Sequence, residues 1–428
     1  MNKWKQTSLG EFIDFNPPET ILKGKMSRKI PMDKLGVFQR KINGSEYSEY
    51  SAGPKFRNGD TLVAKITPCL ENGKTAFVDI LDENEIAFGS SEFIVLRENE
   101  HSDKKFIYYL ARSPLFREKA ISCMEGTSGR KRVNEGALKR QEILVPVIPT
   151  QQKIASVLSA LDDKIELNNK INAELEAMAK MLYNYWFVQF DFPSAEGKPY
   201  KSSGGEMVYD EVLKREIPKG WEMKSLLDIA NFINGLACQK YRPLDEDFLP
   251  VIKIREMNDG ISANTEKVKR DIHAKYIIND GDVLFSWSAS LDVKIWSGGI
   301  GGLNQHIFKV TSSKYPKSYY YFELLNYLQH FKMMAELRKT TMGHITQEHL
   351  RDSKITVPGL EVINKLDDIL NPIFEKILIN KKQNQELASL RDWLLPMLMN
   401  GQVTVKDAFE RVERELGMVA EGDVKYGE

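Results

Sequence analysis

Cysteine is scarce: Cys69, Cys123 and Cys238 are the three in 428 residues. An odd set with no C-x-x-C spacing argues against a disulfide framework and against a Cys-rich zinc site, and it fits a reducing cytoplasm. Long apolar runs are also lacking. The longest, such as Met181 to Val188, are broken by polar groups and fall far short of the roughly 18 residues that a membrane-spanning helix needs. No apolar run follows Met1-Asn2-Lys3-Trp4-Lys5, so no secretory signal is expected. Net charge is absent as well, with 60 Lys+Arg against 60 Asp+Glu. A neutral total gives no global argument for a nucleic-acid or anionic-membrane partner, so the distribution of charge becomes the informative quantity. Histidine is limited to six positions, and His344 and His349 have the wrong spacing for an H-E-x-x-H metal site.

Catalytic motifs fail one by one. Asn16-Pro17-Pro18-Glu19 is similar to the N-P-P-[YF] motif of amino-methyltransferases, but Glu19 stands where the base-stacking aromatic belongs and no F-x-G-x-G loop accompanies it. Gly73-Lys74-Thr75 ends like a phosphate-binding loop, but Pro68 replaces its first glycine, so a hairpin turn is expected. No nucleophile–base pair can be read from spacing. The sequence reads as a binder and not as an enzyme.

What is present is a repeat. Trp4-x3-Ser8-Leu9-x2-Phe12-x2-Phe15 recurs as Trp221-x3-Ser225-Leu226-x2-Ile229-x2-Phe232, at an offset of 217. Asn58-Gly59-Asp60-x-Leu62-Val63 recurs as Asp280-Gly281-Asp282-x-Leu284-Phe285, with the glycines 222 apart. Thr127-Ser128-Gly129 returns as Thr341-Met342-Gly343, and Leu138-x4-Ile143-x-Val145-Pro146 as Leu350-x4-Ile355-x-Val357-Pro358. Four blocks in one order argue for duplication of a unit of about 215 residues. Each copy mixes strand-like runs (Thr61 to Ile66, Glu92 to Leu96, Val283 to Trp287, His306 to Val310) with helical stretches such as Lys105 to Arg112 and Tyr319 to Arg338. An α+β fold follows: two repeated mixed domains, 1–148 and 207–358, separated by helical spacers at 149–192 and 359–404, with a linker at 193–206 and a charged tail at 405–428.

The spacers carry a coiled-coil seam. A 4-3 spacing selects Ile154, Leu158, Leu161, Ile165, Asn168, Asn172 and Leu175 in the first, and Leu366, Leu370, Ile373, Ile377, Asn380, Asn384 and Leu387 in the second. Two central Asn can fix register at some cost in stability. Antiparallel pairing would set Asn168 near Asn384 and Asn172 near Asn380. Each helix, at about 36 residues, would span roughly 54 Å and serve as a ruler. Pro372 is expected to start or kink the second helix, and Arg391, which departs from the seam, to sit at its edge.

Segment counts resolve the neutral total. Residues 1–148 hold 24 basic and 20 acidic side chains, and residues 207–358 hold 21 and 19, whereas the spacers and tail are net acidic. The densest basic run, Arg130-Lys131-Arg132, lies in a Gly/Ser/Thr-rich loop, and its counterpart is Arg338-Lys339-Thr340-Thr341-Met342-Gly343-His344. Small hydroxyl residues permit close backbone approach, and flanking Arg or Lys can reach phosphates or guanine edges. The strands after the Gly-Asp turns end in Lys65-Ile66-Thr67 and Trp287-Ser288-Ala289. There the frames agree while the chemistry differs, as expected of two readers of different sequences.

In this order the blocks resemble the specificity subunit of type I restriction–modification enzymes over nearly the whole chain. The residues that carry the resemblance are the twin W-x3-S-L blocks, the N-G-D and D-G-D turns, and Val145-Pro146-x-Ile148-Pro149-x-Gln151-Gln152-x-Ile154. With them stand Tyr185-Trp186-Phe187-Val188-x-Phe190, Gly205-Glu206-Met207-Val208 and Ile217-Pro218-x-Gly220-Trp221. The resemblance implies two target recognition domains that each read half of a split, asymmetric double-stranded DNA site. It implies helices that set the gap and dock two modification (adenine methyltransferase) subunits, with restriction subunits able to join. S-adenosylmethionine is then expected on the partner and no cofactor on this chain. The expected DNA contacts are Lys65, Thr67, Ser128, Arg130, Lys131 and Arg132 for one half-site, and Trp287, Ser288, Arg338, Lys339 and His344 for the other. A coiled-coil scaffold for protein partners and an enzyme with an unrecognised site are the rival readings.

Overall fold

The computed structural model describes residues 4–127, 129–244, 246–337 and 344–416. The chain divides into two compact units, Met1–Glu166 with Gln385–Glu428, and Leu167–Asn384. The division cuts through both long helices, Ile148–Phe187 and Leu360–Met399, so each gives one end to each unit. Each helix has 40 residues, about 60 Å at 1.5 Å per residue.

In the first unit, strand Trp4–Ser8 pairs antiparallel with Glu142–Pro146, which joins the first and last repeated blocks of the copy. Ser8 then caps the short helix Leu9–Phe12. Its Oγ accepts from the Glu11 N–H, and the Glu11 carboxylate accepts from the Ser8 N–H. The S-L pair of the repeated block is therefore a capping box closing on a buried leucine. One four-stranded sheet has the order Asp14–Phe15, Phe93–Arg97, Thr61–Ala64, Thr75–Phe77, all antiparallel. Gly73, the position expected to form a hairpin turn, lies near the end of the longer connection 65–74 between its last two strands, which turns through bonds such as Asn72 N–H to the Pro68 carbonyl. A second sheet orders Glu46–Glu49, Met26–Ile30, Ala87–Gly89, Lys55–Phe56, with a parallel pairing of the middle two.

The second unit repeats this plan. Glu222–Ser225 pairs with Lys354–Val357, and Ser225 with Asp228 forms the same capping box. Its sheets run Asn231–Asn234, Ile307–Thr311, Val283–Ser286, Asp292–Ile295 and Lys267–Lys269, Phe248–Ile252, Gly301–Leu303, Ile277–Ile278, again with one parallel pair. The Gly-Asp turns match to the atom. Gly59 and Gly281 have φ of 95° and 87°, a region that costs glycine little. Asp60 accepts from the Arg57 N–H and pairs with Arg97, whereas Asp282 accepts from the Asn279 N–H and pairs with Lys309.

The antiparallel helix pairing is present in both units. In the second, Asn168 Nδ2 donates to Asn384 Oδ1 and Asn380 Nδ2 to Asn172 Oδ1, each at 2.9 Å, and Leu175 and Ile377 belong to one apolar cluster. In the first, Ile154, Leu158, Leu161 and Ile165 pack with Leu387, Leu390, Leu394 and Leu398. Gln151, buried at the start of the first helix, donates to the carbonyls of Pro146 and His101 and accepts from the Asp103 N–H. That ties the helix to the mixed domain that precedes it.

Two expectations need correction, and two segments carry structure beyond what the sequence led us to expect. Pro372 does not start the second helix; it lies inside Leu360–Met399. Arg391 is not at the edge of the seam but buried, with Nη1 2.5 Å from Asp162 Oδ1 and Nε 2.9 Å from Asp392 Oδ1. The Pro/Gly linker is held in place. Asp191 accepts from both the N–H and the hydroxyl of Ser202, and Phe192 stacks on Tyr200 and leans against Trp221. The tail begins with an amphipathic helix, Val405–Leu416, whose Ala408 and Val412 enter the core of the first unit; residues 417–428 lie outside those described.

Candidate nucleic-acid interface

In the first unit the basic loop is sewn onto the end of strand Thr61–Ala64. The Thr67 N–H donates to the Lys131 carbonyl, the Val133 N–H to the Lys65 carbonyl and the Lys65 N–H to the Glu92 carbonyl. Ile66 and Arg132 form an isolated bridge, and Arg132 also pairs across from Glu125. Lys65, Thr67, Arg130, Lys131 and Arg132 are thus brought together as expected. Arg130 and Lys131 are exposed. Ser128 lies outside the described residues.

Spacing did not reveal that this cluster holds carboxylates too. Lys65 Nζ sits 3.0 Å from Glu135 Oε1, and Asn16 Nδ2 donates to the other Glu135 oxygen at 2.6 Å. Thr67 Oγ1 donates to Glu71. Arg132 Nε and Nη2 grip Glu92 at 2.7–3.0 Å. The guanidinium holds the Glu92 carboxyl below its usual range, and the carboxylate raises Arg132 in return. Asn16, from the motif similar to that of methyltransferases, bonds in both directions with the Val95 backbone, and Glu19 pairs with Arg97. That segment therefore serves the frame.

The second unit builds the same junction from aromatic rings. The Ile345 N–H donates to the Trp287 carbonyl and the Trp287 N–H to the His306 carbonyl. These bonds repeat those of Val133, Lys65 and Glu92, so Trp287, His306 and His344 stand where the first unit has Lys65, Glu92 and Arg132. The Trp287 ring lies 5.7 Å from His306 and 5.4 Å from His344, and its Nε1 donates to Asn234 Oδ1. His344 is exposed, whereas Ser288 is buried with its hydroxyl 3.2 Å from His306 Nδ1. Ser288 therefore holds the cluster and does not present a free hydroxyl. Arg338 and Lys339 lie outside the described residues.

Glu92, Glu135, Asn234 and His306 escaped sequence reasoning because each meets its partner across tens of residues of chain. The backbone register joins them, and only the repeated blocks hinted at that register. Among the described residues, no group of three or more His, Cys, Asp or Glu is placed to hold a metal ion, and no helix is long and apolar enough to cross a membrane.

The family described as type I restriction modification DNA specificity domain matches residues 1–177 and 218–389. The chain is 29% identical to the type I restriction enzyme MjaIX specificity subunit of Methanocaldococcus jannaschii, over 71% of this chain and 70% of that one. It is 26% identical to the HindI specificity subunit of Haemophilus influenzae, over 94% of this chain and all of that one. Among solved structures, the S subunit of a type I restriction–modification system from M. genitalium shares the fold. Its TM-score is 0.56 at 15% identity, over 93% of this chain and 96% of that one.

Proposed function

The chain belongs to the type I restriction–modification DNA specificity domain family, and we infer that it is the non-catalytic subunit that reads a bipartite DNA site, one half with each recognition domain. The observation that carries this reading is the duplicated junction: one backbone frame presents Lys65, Thr67, Arg130, Lys131 and Arg132 in one copy and Trp287 and His344 in the other. Phosphate contacts would hold each domain in register, and base-edge contacts would give specificity. The exposed Arg130 and Lys131 suit phosphates. Trp287 and His344 offer a ring face and a donor–acceptor edge. We place Ser128, Arg338 and Lys339 on the same loops by sequence.

The helices would set the gap between half-sites and dock two modification subunits, with restriction subunits joining the assembly in the cytoplasm. S-adenosylmethionine would bind the modification subunit, which supplies the methyl transfer to adenine. Modest basicity suits a subunit whose partners complete the grip on DNA. Co-expression with the modification subunit, followed by mapping of methylated adenines in genomic DNA, tests the reading. A split, asymmetric motif is expected. Methylation by this chain alone, or binding to DNA that does not weaken steeply with salt, would overturn it and favour an enzyme or a protein scaffold respectively.

A further inference from the structure

We propose that Glu92 is a positioning residue that holds Arg132 end-on for the O6/N7 edge of one guanine in the half-site read by the first domain. The inference rests on the DNA-reading function proposed above and goes on to name a base.

Glu92 takes one side of the guanidinium fork, with Nε 2.9 and 3.0 Å from its two oxygens and Nη2 2.7 Å from Oε1. Among the described residues Nη1 carries no hydrogen bond. The unused N–H groups of Nη1 and Nη2 therefore point away from the carboxylate as a parallel pair. Guanine presents two adjacent acceptors in the major groove, and a paired donor fork matches them. The Arg132 backbone is fixed on two sides, by Ile66 and by Glu125, and the Glu92 carbonyl is fixed by the Lys65 N–H. Arg132 thus opens the strand Arg132–Val133 and Glu92 directly precedes the strand Phe93–Arg97, so both backbones are held, which is what preorganised recognition requires.

The same carboxylate argues against a phosphate contact. A phosphate on Arg132 would approach the Glu92 charge, whereas guanine brings neutral acceptors. The neighbouring Arg130 and Lys131 are exposed and have no such carboxylate in the hydrogen bonds and ion pairs of the described residues, so the loop separates into two phosphate-type cations and one buttressed fork. The second domain has His306 and His344 at the matching places, so the device belongs to one half-site.

The test uses the full chain in complex with its modification subunit. After the motif is mapped, methylation kcat/KM is measured on duplexes with each base pair of both half-sites replaced in turn. R132A is expected to lower the preference for a single guanine by about 5- to 150-fold, the range for loss of a bidentate pair. R132K, which keeps the charge without the fork, should do nearly the same. E92Q should lower preference at that same guanine by about fivefold or more and leave the other half-site unchanged, and E92Q added to R132A should have no further effect on preference. Retention of the guanine preference in E92Q while R132A loses it would overturn the positioning role. An even loss over all positions in R132A, or a half-site without guanine, would overturn the base assignment. A wild-type complex that methylates no bipartite motif would instead sink the DNA-reading function, and this inference with it.

Discussion

Arg391→Met should damage the first unit out of proportion to one side chain. Arg391 lies among seam residues, yet its side chain is 8% exposed and that of its partner Asp162 4%. Asp162 also accepts from Tyr109 Oη at 2.7 Å, while Asp392, shared with Arg391, pairs with Arg112 at 2.8 Å. Methionine fills a similar volume, so the loss is electrostatic: a buried carboxylate keeps one neutral donor and no cation. Breaking a buried pair from one side costs about 3–5 kcal/mol. In a unit of this size, that corresponds to a fall of about 6–20 °C in its melting temperature, at roughly 2–4 °C per kcal/mol. Adding Asp162→Asn removes the stranded charge but keeps an acceptor for Tyr109, so the double variant should recover much of the loss. Calorimetry of the four chains gives the cycle, and a coupling of at least about 2 kcal/mol is expected. A loss below about 1 kcal/mol for R391M, the value of an exposed pair, or additive effects in the double variant, would refute the account.

Three further outcomes follow from the same geometry. Among the described residues Asn172 Nδ2 is buried without a hydrogen-bond partner, so N172L with N380L should raise the urea midpoint, whereas N380L alone strands Asn172 further and should cost about 1–3 kcal/mol. Burial pushes Glu323 from 4.5 to about 7, against weaker lowering by the Tyr183 hydroxyl and Arg215. The folded state then holds this proton more tightly than the unfolded chain, so stability of the second unit should fall as pH rises from about 4.5 to 7 and level off above; E323Q should flatten that slope in thermal melts. R130A and K131A should each reduce the slope of log affinity against log salt by about 0.9, with base preference retained; a change of preference would move these residues from phosphate to base.

The frame was legible because it imposes backbone demands that few residues meet. Gly59 and Gly281 occupy positive φ, Ser8 and Ser225 cap helices, and Asp60 and Asp282 close their turns on strand cations. The seam was legible for a similar reason, since a 4-3 spacing leaves little choice about which face is covered. Arg391 was misplaced because a cation on a seam reads as an edge until a carboxylate from the other helix is seen opposite. The tail helix was missed because its charged composition hid Val405, Ala408 and Val412 on one face, and the anchoring of the linker because Phe192 before it meets Tyr200 within it and Trp221 beyond it.

The candidate site was legible in its basic residues, whereas Glu92, Glu135, Asn234 and His306 escaped for the opposite reason. The chain bends back so that Lys65, Glu92 and Arg132 meet through backbone hydrogen bonds that any residue can make. Those bonds hold the strands whatever the side chains, so an ion-paired set in one copy and an aromatic set, with Trp287 against Phe308, in the other are both compatible with the frame. A surface of that kind can change its chemistry while the backbone frame stays the same. Half-site preference is therefore expected to vary independently of the residues that identify the fold, and the bases must be read from pairs such as Glu92–Arg132 and not from the repeated blocks.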